Sequence, residues 1–189
     1  MSTGKRNNTS DRFKKLAEMG EVLFHAGDLA NIWQIKDKNT LYTTLKRYTQ
    51  KGLLHRIHKG FYSLKKIEDI DPVLLGVRSL NNFAYLSTET ILARHGIIFQ
   101  NPSAITLIGS KSEKFFLSDN FYIVRQLSDK YLFNSTGISL VDGYYQADPE
   151  RAVADLLYFN PDYYLDGRDL VDWKKVDEIR KEVGYKVTK

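Results

Sequence analysis

An α+β protein in two parts is the fold class predicted by the 189-residue sequence, and three observations predict it. Segments of helical period alternate with brief apolar, β-branched runs along the chain. Charge is divided unevenly: residues 1–66 carry 14 Lys+Arg and 5 Asp+Glu, a net +9, whereas residues 67–189 carry 14 and 18, a net −4. The length also suffices for two small hydrophobic cores. The organisation read from these signals is a flexible tail over 1–10, a basic domain over 11–66, a linker over 67–72 and a mixed α+β domain over 73–189.

The basic part is read element by element. Phe13, Leu16 and Ala17 fall on one side of a helix over 11–19, which Ser10 or Asp11 can cap and Gly20 can end. Glu21 to His25 reads as a brief strand. A second helix follows from Gly27-Asp28, with Asp28 as its cap, and sets Leu29, Ile32 and Trp33 on a buried face. After a turn over 35–38, a third helix capped by Asp37 or Asn39 runs to Lys51-Gly52, with Leu41, Leu45 and Tyr48 at i, i+4, i+7. Two strand-like runs then flank His58-Lys59-Gly60, where glycine suits a tight hairpin. The order helix, strand, helix, turn, helix, hairpin resembles a winged helix-turn-helix.

That resemblance selects candidate DNA contacts. With Leu41, Leu45 and Tyr48 inward, the third helix leaves Asn39, Thr40, Tyr42, Thr43, Lys46, Arg47 and Gln50 outward. Asn39, Thr40 and Thr43 stand near the end that approaches base edges, where amides and hydroxyls can read bases. Lys46, Arg47 and Gln50 lie where phosphate contacts are expected. Arg56, His58 and Lys59 form the corresponding set on the hairpin. Local roles compete: Asn39 or Thr40 can serve as a helix cap, and Tyr42 as a half-buried spacer. The +9 balance favours a polyanion as partner, double-stranded DNA.

In the second part, 72–80 reads as a helix. Ser87 can cap another that ends at His95-Gly96, strands are expected at 104–108, 114–117 and 121–126, and a hairpin is expected around Asp142-Gly143. Asp148 can cap a helix that carries Pro149 and Glu150 in its first turn and runs to Phe159. Trp173, Val176, Ile179 and Val183 set the apolar face of a last helix over 170–183. The topology is left open.

Most enzyme and membrane classes find no support. The sequence has no cysteine, no apolar run near the roughly 20 residues that span a bilayer, and no secretory h-region, so the cytoplasm is expected. Its four histidines, His25, His55, His58 and His95, share no metal-ligand spacing, and no phosphate-binding loop, dinucleotide fingerprint or nucleophile elbow occurs. Neither catalysis nor a cofactor or metal is expected. The strongest catalytic alternative is a metal-dependent nuclease built on Asp142, Asp148, Glu150 and Asp155 with Arg151. Helix-dipole placement of Asp148 and Glu150, and an ordinary i, i+4 ion pair of Arg151 with Asp155, explain those residues without it. A third reading is a protein-binding module that presents Tyr144, Tyr145, Tyr158, Tyr163 and Tyr164, which could equally be core.

Three blocks carry a further resemblance: Gly52-Leu53-Leu54 through Lys59-Gly60-Phe61-Tyr62; Tyr85-Leu86-Ser87 leading to His95-Gly96; and Asp148-Pro149-Glu150-Arg151-Ala152 with Asp155-Leu156-Leu157. In order and spacing they resemble the AbiEi antitoxins, the regulatory half of type IV toxin-antitoxin systems of the abortive infection class. The resemblance implies a repressor of its own operon that binds its promoter through the winged helix. It also implies a C-terminal domain needed to counter a nucleotidyltransferase-like toxin. Whether such a protein binds DNA as a dimer or a monomer is left open.

Overall fold

The computed structural model describes residues 9–185, and the chain is a mixed α+β protein. Between Ile70 and Asp71 the chain divides into two compact units. Most of the expected 1–10 tail, residues 1–8, lies outside the described residues, while Thr9 and Ser10 begin the first helix instead of preceding it. Among the described residues no helix is long and apolar enough to cross a membrane.

The first unit runs α1 (Thr9–Glu18), β1 (Leu23–His25), α2 (Ala26–Ile32), α3 (Lys38–Gln50), β2 (His55–His58) and β3 (Phe61–Ser63). Its strands form an antiparallel sheet in the order β1-β3-β2, so the hairpin returns to pair with the strand that precedes α2. The Ala26 amide donates to the Gly60 carbonyl at 2.8 Å and ties the hairpin tip to the start of α2. Gly60 takes φ +85°, the left-handed conformation that a two-residue connection demands. The core joins Leu16, Leu29, Leu41, Leu45 and Tyr48 from three helices, and Trp33 at the end of α2, to Phe24, Leu54 and Tyr62. Each such large side chain contributes roughly 1.5–3 kcal/mol through removal from water. The Trp33 and Tyr48 rings meet edge to face at 5.5 Å, and Phe13 closes on Tyr48 at 5.2 Å.

Helix starts differ from the sequence expectation where the cap chemistry is shared between residues. Ser10 and Asp11 lie within α1 instead of capping it. His25 occupies the cap position of α2, and Asp28 sits three residues on, its carboxylate accepting the His25 amide at 3.0 Å. That is the returning half of a capping box, which satisfies the backbone donor of the cap residue itself. Of the two caps expected for α3, Asp37 serves, accepting the Thr40 amide at 2.6 Å, and Asn39 lies inside the helix.

The second unit contains α4 (Pro72–Ser79), β4 (Ala84–Leu86), α5 (Glu89–Arg94), β5 (Ile105–Gly109), β6 (Glu113–Leu117) and β7 (Asn120–Gln126). It continues with α6 (Asp129–Leu132), β8 (Ile138–Val141), β9 (Tyr144–Ala147), α7 (Pro149–Phe159) and α8 (Trp173–Val183). A six-stranded sheet is ordered β6-β7-β5-β4-β9-β8, with β4–β9 and β5–β7 parallel and the other neighbours antiparallel. The segment read as a linker is structured: Ile67–Asp69 form a 3₁₀ turn, and Pro72 opens α4 behind its cap Asp71. The last helix starts at Trp173, not at residue 170, because Asp172 caps it and Arg168–Leu170 form a separate 3₁₀ turn. Gly76 lies against the Tyr122 ring, whose hydroxyl donates to the Pro72 carbonyl at 2.7 Å. Burial pushes that phenol up to about 12.

Candidate nucleic-acid interface

α3 presents its polar side outward because its apolar residues repeat at helical spacing. Leu41, Leu45 and Tyr48 are buried together with Thr44, and Asn39, Thr40, Tyr42, Thr43, Lys46, Arg47 and Gln50 are all exposed. On the hairpin, Arg56, His58 and Lys59 are exposed as well. The alternation along β2 turns Arg56 and His58 outward, and a register shift between them re-aims the strand before the turn.

The two sets meet in part. A cavity of about 440 Å³ opens between α3 and the hairpin, bounded by Tyr42, Lys46 and Gln50 on the helix and Arg56 and Lys59 on the hairpin. None of the residues bounding it is acidic, so its three cations keep their charge facing solvent. Asn39, Thr40, Thr43, Arg47 and His58 lie outside this cavity. The Arg47 guanidinium stands 5.3 Å over the Tyr48 ring. The His58 ring packs on Phe61 at 5.2 Å, with Nδ1 3.2 Å from the Lys59 carbonyl. Thr40 also serves the helix cap: its hydroxyl and amide bind Asp37 and hold that carboxyl below the usual aspartate value.

Sequence reasoning missed Thr49 and Tyr62, which complete the cavity wall. Thr49 extends the Tyr42–Lys46 stripe at i+7 and i+3, a signal that was present; its hydroxyl donates to the Leu45 carbonyl at 2.9 Å. Tyr62 arrives through the sheet, paired with Arg56 in the β2–β3 register, and burial raises its phenol.

The second unit holds a different constellation, where two of the quoted sequence blocks converge. Arg151 and Asp155 on α7 are fully buried, not an ordinary surface pair. Asp155 accepts Arg151 Nε at 2.8 Å and the Tyr185 hydroxyl at 2.6 Å on one oxygen. Its other oxygen accepts the Ser87 hydroxyl at 2.8 Å and the Tyr85 hydroxyl at 3.0 Å. Arg151 Nη1 donates to the carbonyls of Asn134 and Thr136, and Nη2 to the Tyr85 hydroxyl and the Tyr131 carbonyl. Every guanidinium N–H and four carboxylate lone-pair sites are thereby used. Burial, reinforced by the Asp155 charge, drives the Tyr85 and Tyr185 phenols well above their usual value. Ser87, expected as a helix cap, is instead a buried donor to this cluster, and Thr88, at φ +52°, stands at the start of α5.

The carboxylates of the nuclease alternative have structural partners. Asp148 caps α7 through the Arg151 amide at 2.7 Å, and Lys175 Nζ lies 2.8 Å from both Asp148 and Glu150. Those two contacts, Asp148 first, raise the Lys175 ammonium above its ordinary value. Asp142 sits in the β8–β9 turn at φ +51°. Among the described residues no three or more His, Asp or Glu side chains are grouped to hold a metal. Of the tyrosines read as a partner surface, Tyr144 is core at 5% exposure, Tyr163 is half-buried, and Tyr145, Tyr158 and Tyr164 are exposed. His95 occupies the C-cap of α5. No protein-family model and no curated protein sequence matches this chain.

Proposed function

We propose that this chain is a DNA-binding transcriptional regulator whose first unit acts as a winged helix-turn-helix, with α3 in a major groove and the β2–β3 hairpin on the flanking backbone. The observation that carries the reading is the cavity in which Lys46 of α3 meets Arg56 and Lys59 of the hairpin, with no acidic residue in its wall. Three unneutralised cations on two elements suit phosphates on one stretch of duplex. Asn39 and Thr43, exposed toward the helix start, would read base edges, while the hydroxyl of their neighbour Thr40 is engaged by Asp37. Regulation, not catalysis, is the proposed role, in the cytoplasm and without a cofactor.

The likeness to AbiEi antitoxins extends this proposal. The DNA would be the promoter of the chain's own operon, and the second unit would counter a nucleotidyltransferase-like toxin encoded beside it. The test is a titration of the purified protein against its own upstream DNA and an unrelated duplex at two salt concentrations. Preference for the upstream duplex that survives the higher salt is expected. Equal or absent binding would sink the reading and turn α3 into a protein-contact face. Co-expression with the neighbouring gene product tests the antitoxin half separately: unrelieved toxicity removes it and leaves the DNA reading standing.

A further inference from the structure

The second unit contains another Arg–carboxylate pair, and its surroundings differ from those of Arg151. A groove of about 1000 Å³ runs between the β7 face and the end of α7, with Ile123, Arg125, Leu156, Phe159 and Tyr163 among its walls. Ile123 and Arg125 point the same way because side chains alternate along a strand, and Lys114 of β6 stands opposite Ile123. On the groove wall Arg125 Nη2 pairs with Glu89 Oε1, the two side chains being 26% and 14% exposed. The guanidinium lies 5.6 Å from the Phe159 ring centroid.

This pair is only partly satisfied. Glu89 Oε2 and Arg125 Nη1 are shielded from solvent and have no hydrogen-bond partner. Buried polar atoms are nearly always paired, so an acceptor atom and a donor atom left over beside a groove suit an occupant that supplies both complements. The wall residues Glu89 and Glu113 balance Lys114 and Arg125, and residues 67–189 carry net −4, so neither a cation nor a polyanion is selected. Apolar Ile123 and Leu156 with the Phe159 ring offer a flat surface to a planar ring.

We infer that this groove binds an uncharged, planar aromatic molecule that carries an N–H donor beside a hydrogen-bond acceptor, the chemistry shared by nucleobases and aryl carboxamides. The N–H faces Glu89, the acceptor faces Arg125, and the ring lies along Phe159. Small rotations of the two side chains toward the groove exchange their unpartnered state for contacts with the ligand.

The test uses the full chain and two probe pairs followed by NMR titration: inosine with 1-methylinosine, and benzamide with N,N-dimethylbenzamide. Saturable binding of inosine or benzamide is expected, weakened roughly tenfold or more when methylation removes the donor. Which parent compound binds identifies the source of the donor–acceptor edge. Glu89→Gln and Phe159→Leu should each weaken the parent compound, with circular dichroism reporting that the variants are folded. The proposal is overturned if neither parent binds at millimolar concentration, if the methylated probe binds as well as its parent, or if both folded variants bind unchanged. Where a variant fails to fold, the methylated probes on the unaltered chain still decide. None of these outcomes depends on DNA binding.

Discussion

The α3–hairpin cavity and the Arg151–Asp155 cluster are built from similar residue types and differ in solvation. Around the first, Lys46, Arg56 and Lys59 stand exposed beside Tyr42 and Tyr62 with no acidic wall. In the second, Arg151 has zero exposure and spends its donors on Asp155, Tyr85 and three carbonyls. A hydrated cation costs little to leave unpaired and can exchange its counterions for phosphates. A buried one is tolerated only when matched, and the match leaves nothing for a ligand. Arginine among tyrosines is therefore solvated and open to exchange in one place and a structural tie in the other.

The largest effect is expected from breaking that tie. Asp155→Asn removes the negative charge and leaves Arg151 buried without compensation, which should cost about 3–5 kcal/mol in urea denaturation. The same cluster predicts alkaline sensitivity. Tyr85 and Tyr185 have folded pKa values raised above 10, so their contribution is fully present below pH 10 and is lost as pH rises beyond it through the folded values. Unfolding monitored against pH should show stability falling above pH 10, and the fall should flatten in the Tyr185→Phe variant.

Gly137→Ala perturbs the cluster's geometry and spares its chemistry. Gly137 takes φ +71°, and a Cβ there would lie 2.7 Å from Arg151 Cβ, so a loss of about 1–3 kcal/mol is expected by the same denaturation. The solvated region should respond in the opposite sense. Replacing Lys46, Arg56 and Lys59 together with Ala should leave the unfolding free energy within about 0.5 kcal/mol per site. It should also lower the slope of log affinity for DNA against log salt by about three. An unchanged slope would remove the phosphate assignment.

The two regions were unequally legible in the sequence. Local period fixes which way α3 faces: Leu41, Leu45 and Tyr48 mark the buried stripe, and the outward set follows from it. The hairpin was legible through Gly60, and Asp37, Asp148 and the helices behind them through cap chemistry. The buried cluster was not, because its members are brought together from Tyr85, Ser87, Arg151, Asp155 and Tyr185 by sheet pairing of β4 with β9 and by α7 and α8. An i, i+4 spacing of Arg151 and Asp155 reads the same on a wet or a dry helix face. Ser87 likewise reads as a cap until the strand before it places its hydroxyl on Asp155. The tyrosines were ambiguous for the same reason, since an amphipathic ring suits both a core edge and a surface.

A weaker response is expected within α3 itself. Asp37 is a solvated carboxylate at the helix start, held low by the Thr40 hydroxyl and amide, so its folded pKa lies beneath the ordinary 3.8. A depressed pKa contributes stability that is present above 3.8 and lost as pH falls through the folded value. Asp37→Asn keeps a good cap but cannot titrate, whereas Asp37→Ala loses the cap at every pH. Thermal midpoints followed from about pH 6 to about pH 2 should separate the three proteins. The parent should converge on the Ala variant only at the acid end, and the Asn variant should stay level at this site. Parallel curves for parent and Ala variant would show that Thr40 is not held by the Asp37 charge, leaving its hydroxyl free for a base edge.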